Sequence, residues 1–379
     1  MDINIFDTIR DVPKQEWNQL LNGCSFTYSY EFWDVIEQSG LNDFCYQHAL
    51  IYDDAGGVVA STSFYSITTD IAIFAPRVLR SVLSKIRQLF PDFLKVRMLE
   101  CGTPITLNKP FVTNDRVASG DIVKAISDLL LRTARDQGHL LVLFRDLEPA
   151  SNGLLPIFKA LGYHIVDSLP TTYMDVAWPS ADAYLASMKS YYRSKLLKHL
   201  RINHDQGVWH ELRENFDELA TVLCDHWQVV HSHADEYQRE ILTPAFFKEF
   251  SNLGSRSKVL LLYRESELVG HALLLMDGDL LRWLYFGRNE AGNDSLYIYV
   301  GHKVVETAIT LGAKRIELGL TTYSIKKDLG AYMSPIKLAL RSPWGLINPF
   351  IGMVYPLLNH TPQIKNKNIF KATRASPGE

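Results

Sequence analysis

The stretch 283–320, WLYFGRNEAGNDSLYIYVGHKVVETAITLGAKRIELGL, reads as three elements in a row. WLYFG is the end of an apolar strand, and GRNEAGNDS is a polar break. LYIYVGHKVVETAITLG (296–312) has helical spacing and closes on glycine, and AKRIEL is a second strand. The chain then runs through Glu317 and Gly319 into YSIKKDLGA, which reads as a short helix bearing Tyr323, Lys326 and Lys327. Strand, helix, strand and loop in this order place the chain in the α/β class.

Working outward, SKVLLLYRESELVGHALLLMDGDLLRWLYFG (257–287) predicts three strands joined by polar turns. NFDELATVLCDHWQVVH and TPAFFKEFSNLG read as helices, and IKLALR as a last strand. The first half has a similar order. QHALIYDDAGGVVASTSFYSITT (47–69) is a hairpin around DDAGG, and KVRMLECGTPITL (95–107) is a strand with a Gly/Pro break. GDIVKAISDLLLRTARDQG (120–138) sets Ile122, Ile126, Leu129, Leu130 and Ala134 on one helical face, and HLLVLFRD is a buried strand. Residues 126–163 and 304–331 match in order as helix, glycine, strand, loop and helix, which we read as an internal duplication.

Between the halves, SADAYLASMKSYYRSKLLKHLRINHDQG (180–207) is a helix with an apolar stripe at Leu185, Met188, Tyr192 and Leu196. Its other faces carry Lys189, Arg193, Lys195, Lys198, His199 and Arg201. The expected domains are 1–178, 179–345 and a Pro-rich apolar and basic tail, 346–379, whose last nine residues should fray. The tail is a candidate either for packing on the body or for weak docking on a membrane surface or partner.

At 379 residues with 47% hydrophobic and 21% charged residues, the chain has the composition of a soluble globular protein. A net charge of −3 argues against a general nucleic-acid coat, and no DNA partner is expected. Cys24, Cys45, Cys101 and Cys224 lack metal spacing and read as reduced, mostly buried thiols in the cytoplasm. MDINIFDTIRDVPKQ carries acids and no long apolar core, so no signal peptide is expected, and no transmembrane helix either. His226, His231 and His233 do not share one helical face, so no metal is expected. Neither a phosphate loop nor a nucleophile elbow is present, and the sequence suggests no Ser/His/Asp order.

Four stretches together resemble the tandem GNAT-fold acyltransferases of the FemAB-like or BioF2-like acetyltransferase group. They are YSYEFWDVIEQSG with HALIYDDAGGVVAS, the basic helix YLASMKSYYRSKLLKHLRINHDQG, the 283–320 core, and YSIKKDLGA, which is similar to the group's Tyr-x-x-Lys and Leu-Gly element. Together they span about 25–345. The resemblance implies two fused GNAT-like modules, each a mixed, partly splayed sheet flanked by helices. The C-terminal module would be catalytic and the N-terminal one degenerate or acceptor-binding. The implied activity is a cytoplasmic, biosynthetic N-acyltransferase reaction, moving an acyl group from acyl-CoA or an acyl-carrier protein to an amine of a small molecule or peptide. The alternatives are FemAB-type transfer from aminoacyl-tRNA, or a non-catalytic binding module. The long paired helices of the tRNA-using cell-wall enzymes are missing here. GRNEAGNDS also departs from the Gln/Arg-x-x-Gly-x-Gly/Ala loop of acetyl-CoA-binding members.

In such a module two central parallel strands, here RWLYFG and RIELGL, would open around the donor. Trp283, Tyr285 and Gly287 would share one face of the first, Glu317 and Gly319 one face of the second, with the glycines admitting the ligand's close approach. Glu317 would serve as general base, its bland alternative being a pair with Lys314 or Arg315. Tyr323 would protonate the leaving group, and Lys326 would neutralise a phosphate or developing oxyanion. Lys327 should face solvent. Arg193, Lys195 and Lys198 could hold a phosphate-rich ligand or a carboxylate, and His226, Trp227 and His231 would border the acceptor cleft.

Overall fold

The computed structural model describes residues 1–21, 23–70, 83, 85–114, 116–233, 240–292, 294–358 and 367–371. The strands in chain order are β1 (Asp2–Phe6), β2 (Cys45–Tyr52), β3 (Val58–Asp70), β4 (Lys95–Cys101), β5 (Phe111–Thr113), β6 (Leu141–Leu147) and β7 (His164–Asp167). They continue as β8 (Thr171–Asp175), β9 (Val208–Arg213), β10 (Ser257–Arg264), β11 (Glu267–Asp277) and β12 (Leu280–Arg288), then β13 (Arg315–Gly319), β14 (Tyr332–Ser334) and β15 (Lys337–Arg341).

The chain divides into two compact units. One comprises 1–170, 236–249 and 335–362, the other 171–235, 250–334 and 363–379. The sheet of the first runs β1-β2-β3-β4-β6-β15-β7, with β5 on β3; that of the second runs β14-β8-β13-β12-β11-β10-β9. Each has antiparallel strands leading to one parallel pair, β4 with β6 and β12 with β13, joined through the helices Ser119–Asp136 and Asp294–Thr310. A crossover helix is the ordinary way to bring a strand back parallel to its predecessor.

Two strands lie in the opposite sheets from those that chain order suggests. β15, after the second half, pairs with β6 and β7 of the first unit. β8, at the end of the first half, pairs with β13 and β14 of the second. The physical reason is pairing: Thr171–Met174 is buried, so β8 needs a strand on each side, and β13 and β14 supply them.

The stretch 180–207 is two helices, Ala181–Ser187 and Ser190–Asp205. The break falls at extended Met188, where a tail segment pairs alongside: Lys189 N donates to Ile369 O (2.8 Å) and Lys371 N to Ser187 O (2.8 Å). Ile369 is buried and Phe370 rests on Trp178, so this part of the tail packs on its own unit. Asn348–Leu358 is a helix with Phe350 and Met353 exposed; of the nine residues expected to fray, Lys371 is held by Ser187 and 372–379 lie outside the described ones. Among the described residues no helix is long and apolar enough to cross a membrane.

Candidate active site

β12 and β13 pair over three positions, Leu280 with Arg315, Leu281 with Ile316 and Arg282 with Glu317, and there the pairing stops. β12 continues six residues further, bonded to β11 on its other side. From Trp283 onward its β13 side pairs with no other described strand. A bulge occurs at the same place: Leu273 faces Tyr285 while Leu274 faces Trp283, leaving Leu284 unopposed. An extra residue bends a strand and adds twist, which accounts for β12 leaving its neighbour here.

The bulge also overturns the expected alternation, so Trp283, Tyr285 and Gly287 do not share a face. Trp283 and Phe286 both meet Tyr297 of the 294–310 helix, at ring separations of 5.3 and 5.0 Å. Tyr285 and Gly287 face the helix Ala220–Ser232 instead, with Tyr285 6.4 Å from the Trp227 ring. Gly287 is not a point of ligand approach. A Cβ there would lie 2.1 Å from His271 Cε1 and 2.8 Å from Trp227 N. Gly319 has room: a Cβ added there would meet nothing nearer than the Trp283 carbonyl oxygen at 3.9 Å.

Beyond Gly319 the backbone turns through left-handed geometry at Gly319 (φ +73°), Thr321 (φ +58°) and Thr322 (φ +47°). Two β-branched residues in that region are costly, and such strain persists where the surroundings enforce it. The Thr322 side chain hydrogen-bonds the Tyr297 hydroxyl, whose proton burial makes harder to remove. Lys326, 3% exposed, donates from Nζ to the Leu320 carbonyl. Tyr323 is buried. Lys327, expected on the surface, is 1% exposed; burial first, then Lys367, lowers its pKa. The short helix Tyr323–Leu329 turns both lysines inward.

Glu317 is buried and ion-paired, yet with neither of the expected cations. Lys314 goes to Asp279 (2.6 Å) and Arg315 to Asp175 (2.7 Å). Glu317 receives Arg282 at 2.5 Å, and Arg282 also grips Asp277 at 2.9 Å. Burial alone would pull the Arg282 guanidinium down, but the Glu317 and Asp277 carboxylates outweigh it and hold the pKa well above the ordinary value. A carboxylate paired in this way is a weak base, and it pins the last rung before the strands part. Arg282 was missed in the sequence although an arginine inside an apolar strand is as unusual as Glu317.

The basic helix divides its charges. Lys195 is committed to Asp328 (2.6 Å), which also holds Lys367 (2.6 Å), while Arg193 and Lys198 make no ion pair among the described residues. His199 Nδ1 and Asn203 Nδ2 reach Ser295 Oγ (both 3.1 Å) at the start of the 294–310 helix. Beside the 287–295 loop opens a cleft of about 510 Å³, lined by Gln206, Arg264, Glu290 and Gly292.

On the other face His231 lies tilted against Trp227 (4.5 Å between rings), and buried His226 stacks on His271 (6.2 Å). No group of three or more metal-ligating side chains occurs among the described residues. Burial, and then His226, pushes His271 from 6.5 down to about 3. An unfolded histidine protonates near 6.5, so the unfolded chain binds the proton more readily and stability falls as pH drops from about 6.5 toward 3. Urea midpoints at pH 7 and pH 5 should show that fall, and it should shrink in His271→Gln.

At the corresponding point of the first unit, β4 and β6 pair from Met98/Leu141 to Cys101/Phe144. The gap beyond is filled by Arg145, whose Nη1 meets the Tyr65 hydroxyl at 2.8 Å and whose Cγ lies 2.8 Å from where a Gly102 Cβ would be.

No family model matches the sequence. A Mycobacterium tuberculosis protein named putative 8-amino-7-oxononanoate synthase 2 is 26% identical over 322 residues, covering 82% of this chain and 42% of the relative. The chain thus spans less than half the length of the curated relative it matches. Among solved structures, FemX superposes with a TM-score of 0.55 at 11% identity, over 89% of this chain and 97% of that one. The C-terminal domain of a putative lysylphosphatidylglycerol synthetase from Agrobacterium fabrum gives 0.54 at 11%, over 96% and 98%. A tandem GNAT protein from the clavulanic acid biosynthesis pathway gives 0.54 at 11%, over 90% and 99%. The likeness extends over nearly the whole of both chains each time, and this chain has the fold of these proteins, the tandem GNAT protein among them.

Proposed function

We propose that the second unit transfers an acyl group from a thioester donor, acyl-CoA or acyl-carrier protein, to an amine. The observation that carries this reading is the parting of β12 from β13 after Arg282 and Glu317, at a bulge that leaves the edge of β12 outside the parallel ladder. Acyl transfer needs an oxyanion held by fixed dipoles, and a strand edge that has left its neighbour presents backbone N–H groups without reorganisation. Trp283, Phe286 and Tyr297 would line the donor's arm, and Gly319 would let it pass. Tyr323 would return a proton to the leaving thiolate, while Lys326 would act through the turn it ties. The amine would enter on the Tyr285–Trp227 face, with His231 as its proton acceptor. Glu317 serves in this reading as a strand pin. Arg193 and Lys198, free of acidic partners among the described residues, remain candidates for an anionic carrier.

A second reading, transfer from aminoacyl-tRNA, draws support from the departure of GRNEAGNDS from the acetyl-CoA loop and from the fold shared with FemX and the synthetase domain. A non-catalytic binding pair is the third. Thermal unfolding with acyl-CoAs, acyl-carrier proteins and aminoacyl-tRNA separates them. A true donor at 100 times its Kd should stabilise by about 2.7 kcal/mol. Tyr323→Phe should cut thiol release about 10²-fold with its circular dichroism melt unchanged; turnover equal to wild type would remove Tyr323 from the chemistry. If none of the three ligands shifts the melt, the transferase readings fail together.

A further inference from the structure

The first unit contains a hydrogen-bonded line that its sequence did not announce. His48 on β2 and Ser63 on β3 are direct cross-strand partners. Ser63 Oγ and His48 Nδ1 are 2.8 Å apart, and His48 Nε2 and Glu37 Oε1 are 2.6 Å apart. Glu37 is itself fixed, by the Thr8 hydroxyl (2.5 Å) and the Ile9 backbone N–H (2.8 Å). His48 is fully buried, with Trp33 and Trp17 edge-on to its ring at 5.2 and 5.7 Å.

The tautomer follows from the partners. Burial would push the Glu37 pKa up, but bonds from His48 and Thr8 outweigh it and keep the carboxyl below its ordinary value, so it is ionised and accepts only. Burial, opposed by Glu37, lowers His48, so its ring is neutral and carries one proton. That proton must sit on Nε2, facing Glu37. Nδ1 is left as the acceptor, and Ser63 Oγ donates to it. Nucleophile hydroxyl, basic nitrogen and orienting carboxylate therefore stand in the order that acyl-transfer catalysis by serine requires. Ser63 also lines a narrow cleft of about 10 Å³, room for about one water, whose walls include Trp17, Tyr28, Trp33, Gly102 and Lys109.

We propose that Ser63, His48 and Glu37 form a second acyl-handling site, in which Ser63 takes up an acyl group from a small ester or thioester. Ser63 Oγ attacks the carbonyl carbon and its proton passes to His48 Nδ1. The carbon–sulfur (or carbon–oxygen) bond breaks with its electron pair on the leaving atom, which takes the proton from His48 and departs as thiol or alcohol. Water then cleaves acyl-Ser63 to the free acid, with His48 again moving the proton. Glu37 is a positioning residue that holds the tautomer. The aromatic walls must part to admit an acyl group and by their character suit an apolar one, and Lys109 suits an anionic leaving portion.

The test is covalent labelling of the full chain with a fluorophosphonate, read by intact mass and peptide mapping, beside release of p-nitrophenol from p-nitrophenyl acetate. A single adduct on Ser63 is expected, lost in Ser63→Ala, with esterase activity falling about 10³-fold. In Glu37→Gln the rate should fall and its pH profile shift, which a purely structural role would not produce. An unlabelled wild-type protein, or an adduct that persists in Ser63→Ala, overturns the proposal without touching the reading of the second unit.

Discussion

Arg282→Met is expected to cost about 3–5 kcal/mol of unfolding free energy at neutral pH. Arg282 has 6% of its side chain exposed and serves two carboxylates, Asp277 and Glu317, that are themselves buried. Methionine fills much of the volume but leaves two negative charges close together without a cation. They would respond by holding protons more tightly in the folded state than in the unfolded one, where carboxyls titrate near 4. A folded-state pKa raised in this way makes the variant lose stability as pH rises, so its deficit against wild type should be greatest above pH 7 and narrow toward pH 5. Adding Asp277→Asn and Glu317→Gln to the same chain should recover most of the loss, because no buried charge then remains. Urea unfolding of wild type, Arg282→Met and the triple variant at both pH values measures this. A deficit under about 1 kcal/mol, or no recovery in the triple variant, would remove the cluster as the pin of the strand pair.

Much of the fold was legible because periodicity and turn chemistry are local. The DDAGG hairpin, the 120–138 face and the 283–320 strand–helix–strand all form where the residues place them. Sheet membership was not legible. β8 and β15 are correctly read as strands, yet a strand's alternation records that it has two sides, not which neighbours bond to it. The break at Met188 was hidden for a similar reason: residues 181–205 have helical composition throughout, and the interruption comes from residues 369–371, nearly two hundred positions away.

The site was legible in outline and not in its roles. Parting strands and an unusual carboxylate on one of them could be anticipated from RWLYFG and RIELGL. The bulge could not, since no glycine or proline marks Leu284, and that one residue decides which side chains share a face with Trp283. Lys327 looked like any helix lysine, because its burial depends on what lies over the helix. Glu37, His48 and Ser63 lie on three successive elements, a helix and two strands, at spacings of 11 and 15 residues, so no short motif could show them. Counting back from the DDAGG turn does not show them either: with Tyr52 opposite Val58 it brings His48 opposite Thr62, and only the bulge between Ile51 and Tyr52 moves the pairing to Ser63.

Gly287→Ala and Gly319→Ala should separate two reasons for a glycine that the sequence presents as one. At Gly287 the added methyl would stand 2.1 and 2.7 Å from the His271 ring and 2.8 Å from a backbone nitrogen of the 220–232 helix, in a packed interior. Neither neighbour is the loose end of a flexible chain, so the strand and helix must move apart, and a loss of about 3 kcal/mol is expected. Part of the clash is with the ring alone. Gly287→Ala made in a His271→Ala background should therefore cost at least about 1 kcal/mol less, a coupling that a double-mutant cycle reads directly. At Gly319 the nearest atom is 3.9 Å away and only the backbone objects, with φ at +73°, so Ala should cost about 1 kcal/mol. Its methyl would stand in the gap between β12 and β13, however, and donor binding should weaken far more than stability does. If Gly287→Ala instead left the melt unchanged and abolished donor binding, the slot would lie on the Trp227 face and the assignment of the two glycines would have to be exchanged.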